Sequence, residues 1–322
     1  MKPSILITDS LFISAPYVKQ LEDTGFSVER LDKLAATEDE LIAALKGKAG
    51  YIIGGTEIVT AKVINSTDAL KVITFTGADW GNFIPDPSAA RNKGIAITNT
   101  PGTTAFPVAE FSLTLMLMMF RHTLALGGPG KETFMTSPSL ASAHVGIVGM
   151  GRIGTQLTRI LTAIGTQVSY WSRHRRPEVE AKYGVKYLSL ENLFKDCEVI
   201  SNHVSSQAGE LISAELINSA KDGVLFINTG GPKAFNTAAL YERIASKTAR
   251  AAFDVHGADL TAFTDLPLDD WYCTNSNTAF NTQQMIDATN KMAVDSVINV
   301  LTTGSDERIV NRQPLAGKPT AA

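Results

Sequence analysis

Val145-Gly146-Ile147-Val148-Gly149-Met150-Gly151-Arg152-Ile153-Gly154 is the stretch on which the reading of this chain turns. An apolar, β-prone run enters a G-x-G-x-x-G turn, and a helical pattern leaves it. Gly149 allows the tight turn, Gly151 lets a pyrophosphate approach the backbone, and Gly154 lets the helix pack close to the strand. The helix then opens with Arg152 and Ile153, where free N–H groups can face phosphates. Any glycine-rich βα turn shares part of this pattern, so the surrounding elements decide.

Around the turn, short apolar runs alternate with helical patterns. Strand candidates are 145–148, 168–171, 199–203, 224–228, 251–255 and 271–274. Six strands are what a dinucleotide-binding sheet needs. A second series precedes them at 5–8, 26–28, 51–53, 72–75 and 95–97. Within it, Thr37-Glu38-Asp39-Glu40 has capping-box spacing, and Gly25 and Gly47 are helix stops. This β-α-β rhythm predicts an α/β protein with two doubly wound parallel-sheet domains. Long helical patterns cover 105–122 and 282–301, and 127–130 reads as a loop.

Composition narrows the class. The chain has 322 residues, 44% hydrophobic and 19% charged, with 29 basic against 32 acidic side chains. That length predicts about two domains. A net charge of −3 offers no basic patch for nucleic acid. The longest apolar run, 111–120, is too short for a bilayer, which takes about 20 residues. No long apolar signal region opens the chain. Cys197 and Cys273 cannot form a disulfide framework or a four-cysteine zinc site, and no metal is expected. These readings predict a cytoplasmic protein with two reduced thiols.

The end of the second strand selects the cofactor. An acidic residue about 20 positions past the turn would receive the ribose hydroxyls of NAD. Here the chain reads Trp171-Ser172-Arg173-His174-Arg175-Arg176. No carboxylate stands there to repel a 2′-phosphate; Ser172 can donate a hydrogen bond and Arg173 can bind in bidentate fashion. The cofactor expected is therefore NADP, as NADPH.

With these residues in place the chain resembles the D-2-hydroxyacid dehydrogenase family. The matching stretches are Gly94-Ile95-Ala96-Ile97-Thr98-Asn99-Thr100-Pro101-Gly102, Val108-Ala109-Glu110, the 149–154 turn, Ile227-Asn228-Thr229 and Ala252-Phe253-Asp254-Val255. The resemblance implies a flavodoxin-like substrate domain from 1–101 and 283–322, with a Rossmann NAD(P)-binding domain, 102–282, inserted. It also implies a site in the cleft and a homodimer formed through the cofactor domains, with 127–143 long enough to cross to a partner. Asp254 would hydrogen-bond the nicotinamide amide. Thr229 joins the cofactor set, and so does His203, which ends a strand near the nicotinamide face.

The family's chemistry uses an Arg for the substrate carboxylate, a His for the proton and a Glu that orients the His. At those places this chain has Gly231, Asn277 and Asp259. Replacement candidates are His256, two residues past Asp254, then Tyr272 as a phenolic donor, with Lys233 as an anchor for an anionic substrate. Surface or core packing is the plain alternative for each. Trp80, Phe235 and Phe280 could line an apolar pocket, and the Gly54-Gly55-Thr56-Glu57 turn could offer backbone N–H groups. Met116, Met118 and Met119 read as core.

Two functions follow. One is an NADPH-dependent reductase of an imine, enone or unusual carbonyl, set in biosynthesis. The alternative is a catalytically silent NADP(H)-binding sensor or scaffold. The expected partners are a small molecule and a second copy of the chain, with neither nucleic acid nor membrane.

Overall fold

The computed structural model describes residues 2–8, 13–127 and 136–312. The chain divides into two compact units, Met1–Thr103 with Thr282–Ala322, and Thr104–Asn281. The first carries a five-stranded parallel sheet of β1 (Ser4–Thr8), β2 (Ser27–Leu31), β3 (Lys48–Ile53), β4 (Val72–Phe75) and β5 (Ala96–Asn99). Its strand order is β2-β1-β3-β4-β5, the flavodoxin-like arrangement. Ile5, Ile7, Ile52 and Val72 pack with Ala293, Val294 and Val297 of the helix Gln283–Thr303 on one side. Tyr51, Ile53, Ile73 and Ile97 pack with Leu41, Val63 and Ala90 on the other. Strands covered on both faces are apolar almost throughout, so they read as continuous runs rather than alternating ones.

The predicted capping box is present: the Thr37 hydroxyl accepts from the Glu40 N–H at 3.4 Å, and the Glu40 carboxylate accepts from the Thr37 N–H at 3.0 Å. It starts the helix Glu38–Ala44.

The second unit holds a seven-stranded parallel sheet. Its strands are β6 (His144–Val148), β7 (Gln167–Trp171), β8 (Lys186–Tyr187), β9 (Val199–Asn202), β10 (Val224–Asn228), β11 (Ala249–Phe253) and β12 (Trp271–Cys273). The order is β12-β11-β10-β9-β6-β7-β8, a six-strand doubly wound core with β12 added at one edge. The sequence predicts six strands here, and the seventh is β8. Two residues pairing with Ser169 and Tyr170 carry no periodicity of their own, so β8 is invisible in the sequence.

The long helix predicted over 105–122 stops at Phe120, and His122 takes a left-handed φ of 52°. Its Met116 and Met119 are buried in the core with Val145, Leu157 and Leu225. Phe235, expected beside a ligand, is core as well: it packs on Phe226 and Phe253 at ring separations of 5.7 and 5.0 Å. Trp80 packs against the core of the first unit. Both cysteines are free thiols; burial pushes Cys197 up to about 12. Part of the stretch expected to reach a dimer partner, 128–135, lies outside the described residues. Among the described residues no helix is long and apolar enough to cross a membrane, and no cluster of metal-ligating side chains is found.

Candidate active site

Strand register assembles five of the ten expected cofactor residues in one row. Val148 aligns with Trp171 and Asn202, Asn202 with Asn228, Asn228 with Phe253, and Phe253 with Cys273. The next residue on each strand is therefore Gly149, Ser172, His203, Thr229, Asp254 or Thr274. All lie past the carboxyl ends of their strands, and the order reverses between β6 and β9, where open α/β sheets bind ligands.

The turn itself is open to a ligand. Gly149 has φ 102°, and its N–H donates to the Trp171 carbonyl at 2.8 Å. A Cβ on Gly154 would sit 2.2 Å from the Gly149 carbonyl oxygen, so only glycine brings helix Arg152–Ala163 this close. A Cβ on Gly151 would meet nothing within 4 Å. Gly151 is the N-cap of that helix, and no side chain caps it. The first N–H groups, including those of Arg152 and Ile153, are thus available to an anion. An uncapped helix beside open space fits a dinucleotide pyrophosphate.

At the β7 end the three arginines have different fates. Arg175 forms a two-point pair with Glu180, at 2.8 and 2.7 Å. Arg175 and then the Tyr170 hydroxyl hold the Glu180 carboxyl down at about 2, while burial and Glu180 push Tyr170 up to about 12. Arg176 donates to Glu178 and, at 3.2 Å, to the Met150 carbonyl, tying this loop to the glycine turn. Arg173 is exposed and makes no hydrogen bond or ion pair among the described residues. Ser172 was expected to donate to a ligand; its hydroxyl instead donates to the His174 carbonyl at 2.5 Å, leaving it only as an acceptor.

His203 sits in a chain of hydroxyls. Ser112 donates to the Val108 carbonyl at 2.7 Å and lies 2.9 Å from the Thr229 hydroxyl. Thr229 therefore donates to Ser112 and accepts from His203 Nδ1 at 3.2 Å, while Ser201 donates to Nε2 at 2.9 Å. Burial pulls the His203 pKa down to about 3, so the ring is neutral with its proton on Nδ1. Both nitrogens are engaged; His203 and Thr229 hold the floor of the site rather than offer free polar atoms.

Asp254 has partners that the sequence does not announce. It is fully buried, and its carboxylate accepts from the Thr274 hydroxyl, the Thr278 N–H at 2.9 Å and the Ala279 N–H at 2.8 Å. It braces the loop after β12 through these three contacts, and Oδ2, with one donor, keeps room for another. That loop carries Asn275 and Asn277 at φ 55° and 50°, a conformation asparagine tolerates. Asn277 is exposed. Asp259 accepts from the Thr261 hydroxyl at 3.1 Å.

No hydrogen bond joins the replacement candidates to one another among the described residues. His256 is exposed, with Nδ1 3.4 Å from the Asn275 carbonyl of the same loop. Tyr272 is half-buried against the core. Lys233 is exposed with no side-chain partner among the described residues. Gly231, at the expected Arg position, is buried and donates its N–H to the Val204 carbonyl at 2.7 Å. Sequence reasoning missed the Asn202–Asn228 side-chain bond of 2.9 Å, which joins the ends of β9 and β10. Asparagine at or next to the end of two predicted strands was the signal. It also missed Ser112, whose partner lies 117 positions away.

An order-reversing parallel sheet with this turn at its reversal defines a dinucleotide-binding α/β domain. A family model described as D-isomer specific 2-hydroxyacid dehydrogenase, NAD binding domain, matches residues 113–278. The chain belongs to that family. A hydroxypyruvate reductase of Thermotoga maritima is 31% identical over 242 residues, 73% of this chain and 76% of its own. A D-3-phosphoglycerate dehydrogenase of Rattus norvegicus is 31% identical over 261 residues, 78% of this chain; the match spans about half of that longer protein, 48%. A solved structure from Thermus thermophilus superposes with a TM-score of 0.78 at 25% identity, covering 92% of this chain and 96% of that one.

Proposed function

We propose that this protein is an NADPH-dependent reductase whose substrate is not a simple 2-keto acid but a protonated imine, an enone or an unusual carbonyl. One contrast carries the reading. The coenzyme turn is open and Arg173 unengaged, whereas Gly231 and Asn277 stand where the resemblance implies an arginine and a histidine. The 149–154 turn and Arg173 would hold the cofactor, which supplies a hydride when bound. A carboxamide at Asn277 cannot exchange a proton at neutral pH. A positioned general acid is worth about 10²–10⁴-fold, so the substrate best served brings its own charge or proton. His256 is the first candidate for a replacement acid, since it borders the Asn277 loop. Tyr272 is weaker, being packed on the core. Lys233 is a candidate substrate anchor. The first unit would be the substrate domain, and the assembly a homodimer through the second.

Asn277, which cannot transfer a proton, also fits a second reading, a silent NADP(H) sensor. Absorbance at the NADPH band over a panel of keto acids, imines and enones separates the two. Oxidation with an imine or enone, and little with pyruvate, glyoxylate or hydroxypyruvate, supports the reductase. Tight binding without turnover on any class supports the sensor.

A further inference from the structure

Arg176 belongs to the loop after β7, but its side chain ends on the glycine turn. Its backbone N–H donates to the Tyr170 hydroxyl at 2.7 Å, and that hydroxyl donates to Glu180 at 2.7 Å. The backbone of Arg176 is thereby held to β7 itself. From this anchor Nε donates to Glu178, and Nη1 donates to the Met150 carbonyl at 3.2 Å, 26 positions back along the chain. No other donor to that carbonyl is found among the described residues.

Met150 stands between Gly149 and Gly151, and its carbonyl belongs to the peptide that joins it to Gly151. That peptide is trans, so its C=O and N–H lie on opposite edges of one plane. Holding the carbonyl toward the β7 loop therefore turns the Gly151 N–H away from it. The rest of the turn is pinned on either side. The Gly149 N–H donates to the Trp171 carbonyl at 2.8 Å, and the Gly151 carbonyl accepts from the Thr155 N–H at 3.0 Å. The Met150 side chain is buried at 2% exposure. The N–H groups of Met150 and Gly151, by contrast, have no partner among the described residues. Glycine is the most permissive residue in backbone conformation, so two glycines around one residue do not hold a peptide plane by themselves. A strut to that plane does, and it removes ordering cost from ligand binding.

We propose that Arg176 is a positioning residue for the dinucleotide. It sets the 149–151 turn in the conformation whose N–H groups receive the pyrophosphate, the part that NADH and NADPH share. Arg173, by contrast, is assigned to the 2′-phosphate. The inference rests on the dinucleotide-binding reading of the turn, but not on the choice between NADPH and NADH.

The test is titration of both cofactors against the wild type and Arg176→Ala by protein fluorescence, at two ionic strengths, beside the melting midpoints of the free proteins. Both affinities should fall by the same factor, about threefold to tenfold, the size expected of one hydrogen bond. The factor should hold at both ionic strengths, because the strut ends on a neutral carbonyl. The midpoint should move by a few degrees at most, since the Arg176–Glu178 pair is exposed, 42% and 61%. Arg176→Lys, with a charged donor of shorter reach, should recover part of the affinity. Glu178→Ala, which leaves the Met150 bond in place, should lose less than Arg176→Ala. A loss confined to NADPH would make Arg176 a ligand of the 2′-phosphate and overturn the strut. A loss that shrinks at high salt would mean direct ionic contact with the pyrophosphate, and would overturn it as well. So would unchanged affinity for both cofactors. If Arg176→Ala does not fold, Arg176→Lys carries the same comparison. A wild type that prefers NADH would end the NADPH assignment and leave this test standing.

Discussion

Arg173→Ala isolates the residue on which the NADPH assignment rests. Three arginines follow β7 within four positions, but Arg175 is locked to Glu180 and Arg176 to Glu178 and Met150. Arg173 alone among them is exposed and uncommitted. Removing it breaks nothing in the free protein, so the whole effect should fall on the ligand. A charge-assisted hydrogen bond contributes about 1.5–3 kcal/mol, and about 1.4 kcal/mol is tenfold in affinity. NADPH should therefore bind about one to two powers of ten more weakly, while NADH, lacking the 2′-phosphate, stays within about twofold. Part of the effect should fade at high salt, because the site is exposed. The assay is titration of both cofactors by protein fluorescence at two ionic strengths, with Arg175→Ala as the control. Equal losses for NADPH and NADH, or a larger NADPH loss from Arg175→Ala, would refute the phosphate assignment.

Four further outcomes are expected. Gly154→Ala should destabilise by about 1–3 kcal/mol or more, since its Cβ falls 2.2 Å from the Gly149 carbonyl; an unchanged denaturation midpoint would contradict the close packing. His203 has a folded pKa near 3, below its ordinary 6.5, so its contribution is complete above about pH 6.5 and is lost as pH falls toward 3. The stability curve of wild type should thus fall with acid by up to about 1.4 kcal/mol per pH unit more steeply than that of His203→Gln; parallel curves would show a ring free to protonate. Gly231→Arg, Asn277→His and Asp259→Glu together should raise turnover of glyoxylate, with little gain from any one alone because such groups act as a unit; fast turnover by the unmodified chain would remove the premise. Light scattering at micromolar concentration should give the mass of a dimer, and a monomer would end that proposal.

The glycine turn, the two strand series and the capping box at Thr37 were legible because each is a local pattern. A left-handed φ at Gly149, a helix start at Thr37 and a doubly covered strand leave their marks within a few residues. The row at the sheet edge follows only in part from where each run ends, since 199–203, 251–255 and 271–274 take in His203, Asp254 and Thr274 themselves. The chemistry of the residues on that row was not legible in the same way. Asp254 has the position that the resemblance implies, but its partners at Thr274, Thr278 and Ala279 come from a loop some twenty residues on. Which of three neighbouring arginines stays available depends on where Glu178, Glu180 and the Met150 carbonyl come to lie. The state of His203 is set by Ser112, on a distant helix. Glu57 reads as a turn residue until Tyr51, Thr8 and the Leu34 carbonyl close around it. Backbone conformation is dictated by sterics between neighbours in the chain, so sequence alone determines it here. Burial and hydrogen-bond partnership are dictated by residues far apart in sequence, so only the folded chain decides which polar groups remain free to act.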